Sequence, residues 1–174
     1  MLLDLARLAF FPALMAFAAA SDLFTMTISN RVSLLLTAGF VIVAVAGGMP
    51  ATEVLWHFAA AALVLMVTFA MFAFGWIGGG DAKLTAAIAL WFGFGQLPEV
   101  LVYASLLGGA LTLFIIQFRL WPLPSVLGSQ PWLARLHDKD SGVPYGIPLA
   151  IGAMIVYPDS AWMRAVDLSH FLAG

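Results

Sequence analysis

Residues 54–77 run for 24 positions without a single Asp, Glu, Lys or Arg, and about 20 apolar residues suffice for a helix to cross the ~30 Å hydrocarbon core of a bilayer. In lipid no water is present to satisfy backbone N–H and C=O groups, so a segment of this kind commits itself to helix. Trp56 and Trp76 stand near its two ends, where aromatic side chains meet the headgroup layer. The remainder of the chain has the same character: 63% of its 174 residues are hydrophobic and only 9% charged, with a mean hydropathy of +1.04. A polytopic integral membrane protein of all-α class follows.

Judged against the same length requirement, hydropathy divides the chain into about six spans, roughly 5–20, 32–46, 54–77, 82–95, 99–118 and 145–157. They form one membrane domain over 1–174. The first is a span and not a cleaved leader, because Asp4 and Arg7 cancel where a secretory signal needs net positive charge. Gly47-Gly48-Met49-Pro50 ends the second span, and Gly95-Gln96-Leu97-Pro98-Glu99 is expected to form a turn between the fourth and fifth. Ala104, Gly108 and Gly109 make a small-residue face on the fifth for close helix packing, as do Gly75 and Gly79 at spacing four. Pro144-Tyr145-Gly146-Ile147-Pro148 predicts an irregular, non-helical entry to the sixth. The spacing of Trp162, Met163, Val166, Leu168 and Phe171 predicts a surface helix over 161–172.

Several chemistries are excluded or disfavoured. There is no cysteine, which removes disulfides, thiolate metal sites, iron–sulfur clusters and a cysteine nucleophile. A formal charge of −2 without a dense basic block gives no footprint for nucleic acid. His57 lacks a second ligand at helical spacing and is read as an interfacial imidazole. The polar loop 120–143 carries His137-Asp138-Lys139-Asp140, whose spacing fits a solvated charge cluster better than a metal site, and Pro131 opens a short helix with Trp132, Leu133 and Leu136 on its apolar side. No metal and no cofactor are expected.

Two carboxylates are harder to dismiss. With alternating spans, Arg31, Lys83, Arg119, Arg135 and Lys139 share one side, while Arg7 and Arg164 lie on or near the other; the positive-inside rule makes the richer side cytoplasmic. Asp22, at the end of the first span, and Asp81, at the start of the fourth, then reach that same face. A charge at membrane depth costs about 2.5 to 3.5 kcal/mol on insertion scales, so an ionisable residue there points to function. Two adjacent carboxyls share a proton, and one can act as base on a water while the other acts as acid toward a carbonyl. Alternatively they carry protons or an ion in a small transporter subunit, or Asp81 caps a helix behind three glycines in a scaffold without activity.

Around these residues the chain resembles the type IV prepilin peptidases, and within them the short form that serves tight-adherence (Flp-type) pili. That family pairs an Asp followed by an Ile-Pro-Asn-like segment with Gly-x-Gly-Asp and a basic residue two places later. Here the segments read Asp22-Leu23-Phe24-Thr25-Met26-Thr27-Ile28-Ser29-Asn30 and Gly78-Gly79-Gly80-Asp81-Ala82-Lys83, and Pro144 to Pro148 resembles the entry to the family's last span. Phe24 departs from a frequent basic residue and Ser29 from the usual proline. The resemblance implies a membrane-embedded aspartic endopeptidase of the bacterial inner membrane with its site at the cytoplasmic face. Asp22 and Asp81 would be catalytic, and Gly78, Gly79, Gly80, Lys83, Asn30, Tyr145 and Gly146 would support the site or bind substrate. The partners implied are prepilins or pseudopilins with an amino-terminal apolar helix, the bilayer itself, and the pilus assembly machinery. Long-form relatives also methylate their product and carry a cysteine-rich zinc insert; this chain has neither the insert nor any cysteine, and the activity the resemblance implies is proteolysis.

Overall fold

In a computed structural model, which describes residues 1–124 and 128–166, every regular element among those residues is helical. α1 (Leu2–Thr25) buries Asp4, Arg7, Phe11, Met15, Ala18 and Asp22. The steps of three and four between them are one helical stripe, so Asp22 points inward with the core residues. α2 (Asn30–Ala46) is N-capped by Ser29, whose Oγ accepts from the Arg31 N–H at 3.3 Å. Ser29 thus starts this helix by capping it, where the family's usual proline would preset the backbone.

α2 and α3 (Ala51–Ala73) end in the same way. Gly48 (φ 70°) and Gly75 (φ 76°) take the left-handed conformation that an L side chain resists. The N–H groups of Gly48 and Met49 turn back to the carbonyls of Val45 and Ala44, and those of Gly75 and Trp76 to Phe72 and Met71. This pairing satisfies carbonyls that would otherwise be orphaned at the end of a helix in lipid. Gly75 is therefore a terminator and not half of a packing pair with Gly79.

α4 (Gly79–Leu120) is two helical limbs joined at Gly93, whose φ of 57° and ψ of −172° lie in a region essentially reserved for glycine. The expected turn at 95–99 is instead helical, and the chain breaks two residues earlier. The reason lies in the carbonyls freed by the break. His57 of α3 meets the Leu90 carbonyl at 2.7 Å, and because a carbonyl can only accept, Nδ1 must carry the proton. Trp162 donates its Nε1–H to the Trp91 carbonyl at 2.7 Å. A buried break needs such caps, and at Gly93 His57 and Trp162 supply them. His57 is accordingly a cap on this break.

The first limb is the centre of the molecule: every residue from Leu84 to Gly93 is buried. Trp91 anchors it, donating Nε1–H to the Leu36 carbonyl at 2.9 Å and packing against Phe11, Phe40 and Trp162 with ring centroids 5.1, 6.2 and 5.3 Å away. α3, α2 and α6 (Gly146–Val156) pack around α4, and α1 lies across α6 and α2. The small-residue face of the second limb is used at Ala104 and Gly108 but not at Gly109, which faces open space: a Cβ on Gly152 of α6 would lie 2.8 Å from the Ala104 backbone nitrogen.

Two further expectations change. α6 is helical from Gly146 onward, because Pro148 falls in its first turn, where no N–H is needed. The helix at 161 is only α7 (Ala161–Arg164), and Trp162 is 4% exposed; its indole is drawn inward to cap the break in α4 rather than lying on a surface. The remainder of the expected 161–172 helix, from residue 167, lies outside the described residues. α5 (Pro131–His137) opens with Pro131 and buries Leu136. Its Trp132 stacks edge-on against Phe24 at 5.6 Å, and Arg135 donates to the Phe24 carbonyl at 3.0 Å.

Three helices, α1, α3 and α4, are long and apolar enough to cross a membrane, and α2 is a shorter apolar helix. Around them Leu34, Ile42, Leu55, Met66 and Leu113 are each exposed by more than three-fifths. A surface that apolar is a liability in water and the natural boundary with acyl chains. The protein is a multi-pass membrane protein.

Candidate functional site

Asp22 ends the inward stripe of α1 and is 5% exposed. Its Oδ2 accepts the Gly146 N–H at 2.7 Å, at the point where α6 begins and its free N–H groups favour negative charge. The approach requires glycine, since a Cβ on Gly146 would lie 2.8 Å from Asp22 Oδ2 and 2.7 Å from Ile28 Cδ1. A turn holds the chain after α1 in place: Met26 adopts φ 53°, and the Ser21 and Thr25 hydroxyls both donate to the Thr27 carbonyl.

Asp81 occupies the third position of α4 after the N-cap Gly78, and its carboxylate accepts the Gly78 backbone N–H. This is the reaching-back half of a capping box. Asp81 is therefore inside the first turn and not the N-cap that the non-catalytic reading expects, and the bond to Gly78 uses only part of its hydrogen-bonding capacity. Thr85 donates to its backbone carbonyl at 2.7 Å, and Thr68 of α3 donates to the neighbouring Ala82 carbonyl at 3.2 Å, tying α3 to this turn.

Both carboxylates line one cavity of about 1200 Å³ and lie within electrostatic reach of each other. Gly78, Thr85 and Tyr145 line it beside them, and Gly142 and Val143 bring the 120–143 loop to it. Its long walls are apolar, formed by Leu63, Val67 and Met71 of α3 and by Leu97 and Leu101 of the second limb of α4. Ser105 and Thr112 interrupt that wall. Arg119 fixes the loop by donating to the carbonyls of Leu136, Ser141 and Gly142, each at 2.9 Å. Within that loop His137 Nε2 is bonded to the Trp121 carbonyl at 2.8 Å, and Asp138 accepts the Asp140 N–H.

The other residues singled out from the sequence divide. Gly146 touches Asp22, and Tyr145 lines the cavity with its ring laid against Gly108, where a Cβ would come within 2.7 Å. Gly79 and Gly80 do not face the cavity: their missing side chains make room for Phe72 and Ile28, each 3.2 Å from where a Cβ would stand. Lys83 and Asn30 lie elsewhere, joined by a 2.8 Å hydrogen bond at the edge of a second cavity. Met26, Ser105 and Thr112 escaped sequence reading. For Ser105 and Thr112 the signal was present, since with Gly108 they follow a three- and four-residue spacing along one helical face.

A family model described as the type IV leader peptidase family matches residues 9–113. No curated protein and no solved structure matches the chain. The matched stretch takes in both carboxylates, the turn after α1 and the capped start of α4, and it sets a transporter reading aside. Because it also covers more than half of the chain, the protein belongs to the type IV leader peptidase family, the aspartic peptidases that hydrolyse prepilins.

Proposed function

We propose that the protein removes the cytoplasmic leader from prepilins or pseudopilins of the Flp type at the inner membrane, with Asp22 and Asp81 as its catalytic pair. The observation that carries this reading is the shared cavity, in which two carboxylates from separate helices meet a long apolar wall. One carboxylate takes a proton from a water whose oxygen adds to the scissile carbonyl carbon, while the other carboxyl gives its proton to the carbonyl oxygen. Collapse of the tetrahedral species breaks the C–N bond, and the departing amine leaves with a proton from the pair. The backbone N–H groups of Gly146 and Gly78 orient the two carboxylates. The apolar wall between α3 and the second limb of α4 suits the substrate's own membrane helix, and Gly78 leaves room for the extended peptide beside it.

Coexpression with a candidate prepilin tests this directly: the leader should be lost, and a fusion in which a soluble passenger replaces the apolar helix should stay uncut. Efficient cleavage of that fusion in detergent would overturn presentation by the apolar wall. Six crossings with the site on the cytoplasmic side belong to the same proposal, the two limbs of α4 and α6 completing the set. Absence of native cysteine makes a clean probe. Ser29→Cys and Ser141→Cys should react with an impermeant thiol reagent only from the cytoplasmic side, and Thr52→Cys only from the other. Labelling of Ser29→Cys and Thr52→Cys from one side would refute the arrangement.

A further inference from the structure

A second cavity, of about 510 Å³, lies between α2, α3 and the first limb of α4. It shares no lining residue with the cavity of the two aspartates. Leu34, Phe58, Leu65 and Leu90 make it apolar along its length, and Lys83 and Asn30 mark one end. From Lys83 to Leu90 it follows α4 for about 10 Å at 1.5 Å per residue, which is most of the ~15 Å hydrocarbon depth of one leaflet. Its polar end is cationic. Lys83 is exposed and donates one of its three ammonium protons to Asn30 Oδ1 at 2.8 Å. Arg31 is exposed on the adjoining first turn of α2. Among the described residues neither cation is paired with a carboxylate.

We propose that this groove binds an anionic phospholipid, its headgroup phosphate on Lys83 and Arg31 and one acyl chain between α2 and α3. A cationic end joined to an apolar trough of leaflet depth matches that molecule in both charge and length. A basic peptide would be repelled from the same end, and free phosphate would leave the trough unused. Lys83 thereby gains a role distinct from peptide hydrolysis, and the proposal does not depend on which residues carry out the chemistry.

Native mass spectrometry of the purified full chain, titrated with phosphatidylglycerol or with phosphatidylcholine of the same acyl chains, tests it. The anionic lipid should be retained more tightly, by about fivefold for each of the two surface cations. Lys83→Gln combined with Arg31→Gln should reduce that preference to parity. Ala62→Trp, placed on an exposed lining residue to fill the trough, should lower retention of phosphatidylglycerol with both cations intact. Millimolar inorganic phosphate should not displace the lipid. Equal retention of the two lipids by the unaltered protein, or an undiminished preference in the double variant, would overturn the proposal. Displacement by phosphate would overturn the acyl-chain half of it, and a lipid-independent dimer abolished by Ala62→Trp would assign the groove to a second copy of the chain instead.

Discussion

Asn in place of either Asp22 or Asp81 should stop leader cleavage while leaving the protein inserted and folded. The amide keeps an oxygen for the backbone donor that each carboxylate now uses, Gly146 N–H for Asp22 and Gly78 N–H for Asp81. It cannot pass a proton to or from water. General acid–base catalysis is worth about 10² to 10⁴ in rate, so a loss of about a thousandfold or more is expected for each single variant. The double variant should be little worse, because residues that act as a unit are not additive. Rates of prepilin shortening followed by electrophoresis measure the effect, and thermal unfolding in detergent separates it from a folding defect. Lys83→Ala should leave cleavage within a few-fold of the parent, since Lys83 bonds Asn30 outside the cavity of the two aspartates. Full activity in Asp22→Asn would dismantle the pair.

The largest effect on stability is expected at Gly93, at the break in α4. Gly93→Val would force a β-branched residue into a backbone region essentially closed to it, at about 1 to 3 kcal/mol of strain. Its Cβ would also press on the His57 ring, 3.1 Å away. Displacing that ring leaves the Leu90 carbonyl without its cap in a buried setting, at about 1 to 3 kcal/mol more. Since these costs fall on one junction they will not simply add, yet their sum is a large share of the 5 to 15 kcal/mol that typically separates folded from unfolded. Gly93→Val should therefore lower the thermal midpoint markedly or prevent accumulation of the protein. His57→Ala should show the cap-loss part alone. A Gly93→Val protein that melts with the parent would mean that the break in α4 is not held as described.

Much of the molecule was legible in its residues because the bilayer leaves few choices. Apolar runs such as the one that begins at Val54 had to be helices, and Gly47-Gly48 marked the end of α2, where φ turns positive at Gly48, whereas Gly75 looked like a packing residue and instead ends α3. The cost of charge in lipid singled out Asp22 and Asp81 before any geometry was known, and the three- and four-residue phase of α1 already set Asp22 on the stripe that carries Phe11 and Met15. Local propensity also misled. Gly95-Gln96-Leu97-Pro98-Glu99 has the residues of a turn but is helical, because the chain breaks where His57 and Trp162 can cap the freed carbonyls.

Those caps come from α3 and from a short helix some 70 residues beyond the break, so no window of sequence around Gly93 contains them. The same holds for the glycines around Asp81. Their spacing was plain, but that Gly78 lines the cavity while Gly79 and Gly80 admit Phe72 and Ile28 depends on which helices lie beside them. Lys83 sits two residues from Asp81 and yet lines another groove, since residues two apart on a helix do not face the same way. The sequence by itself thus determined which segments are apolar enough to be helices in a membrane and which charges are too costly there to be idle. Only the tertiary structure decided what each charge faces, because a side chain's partner is set by the helix packed against it and not by its neighbours along the chain.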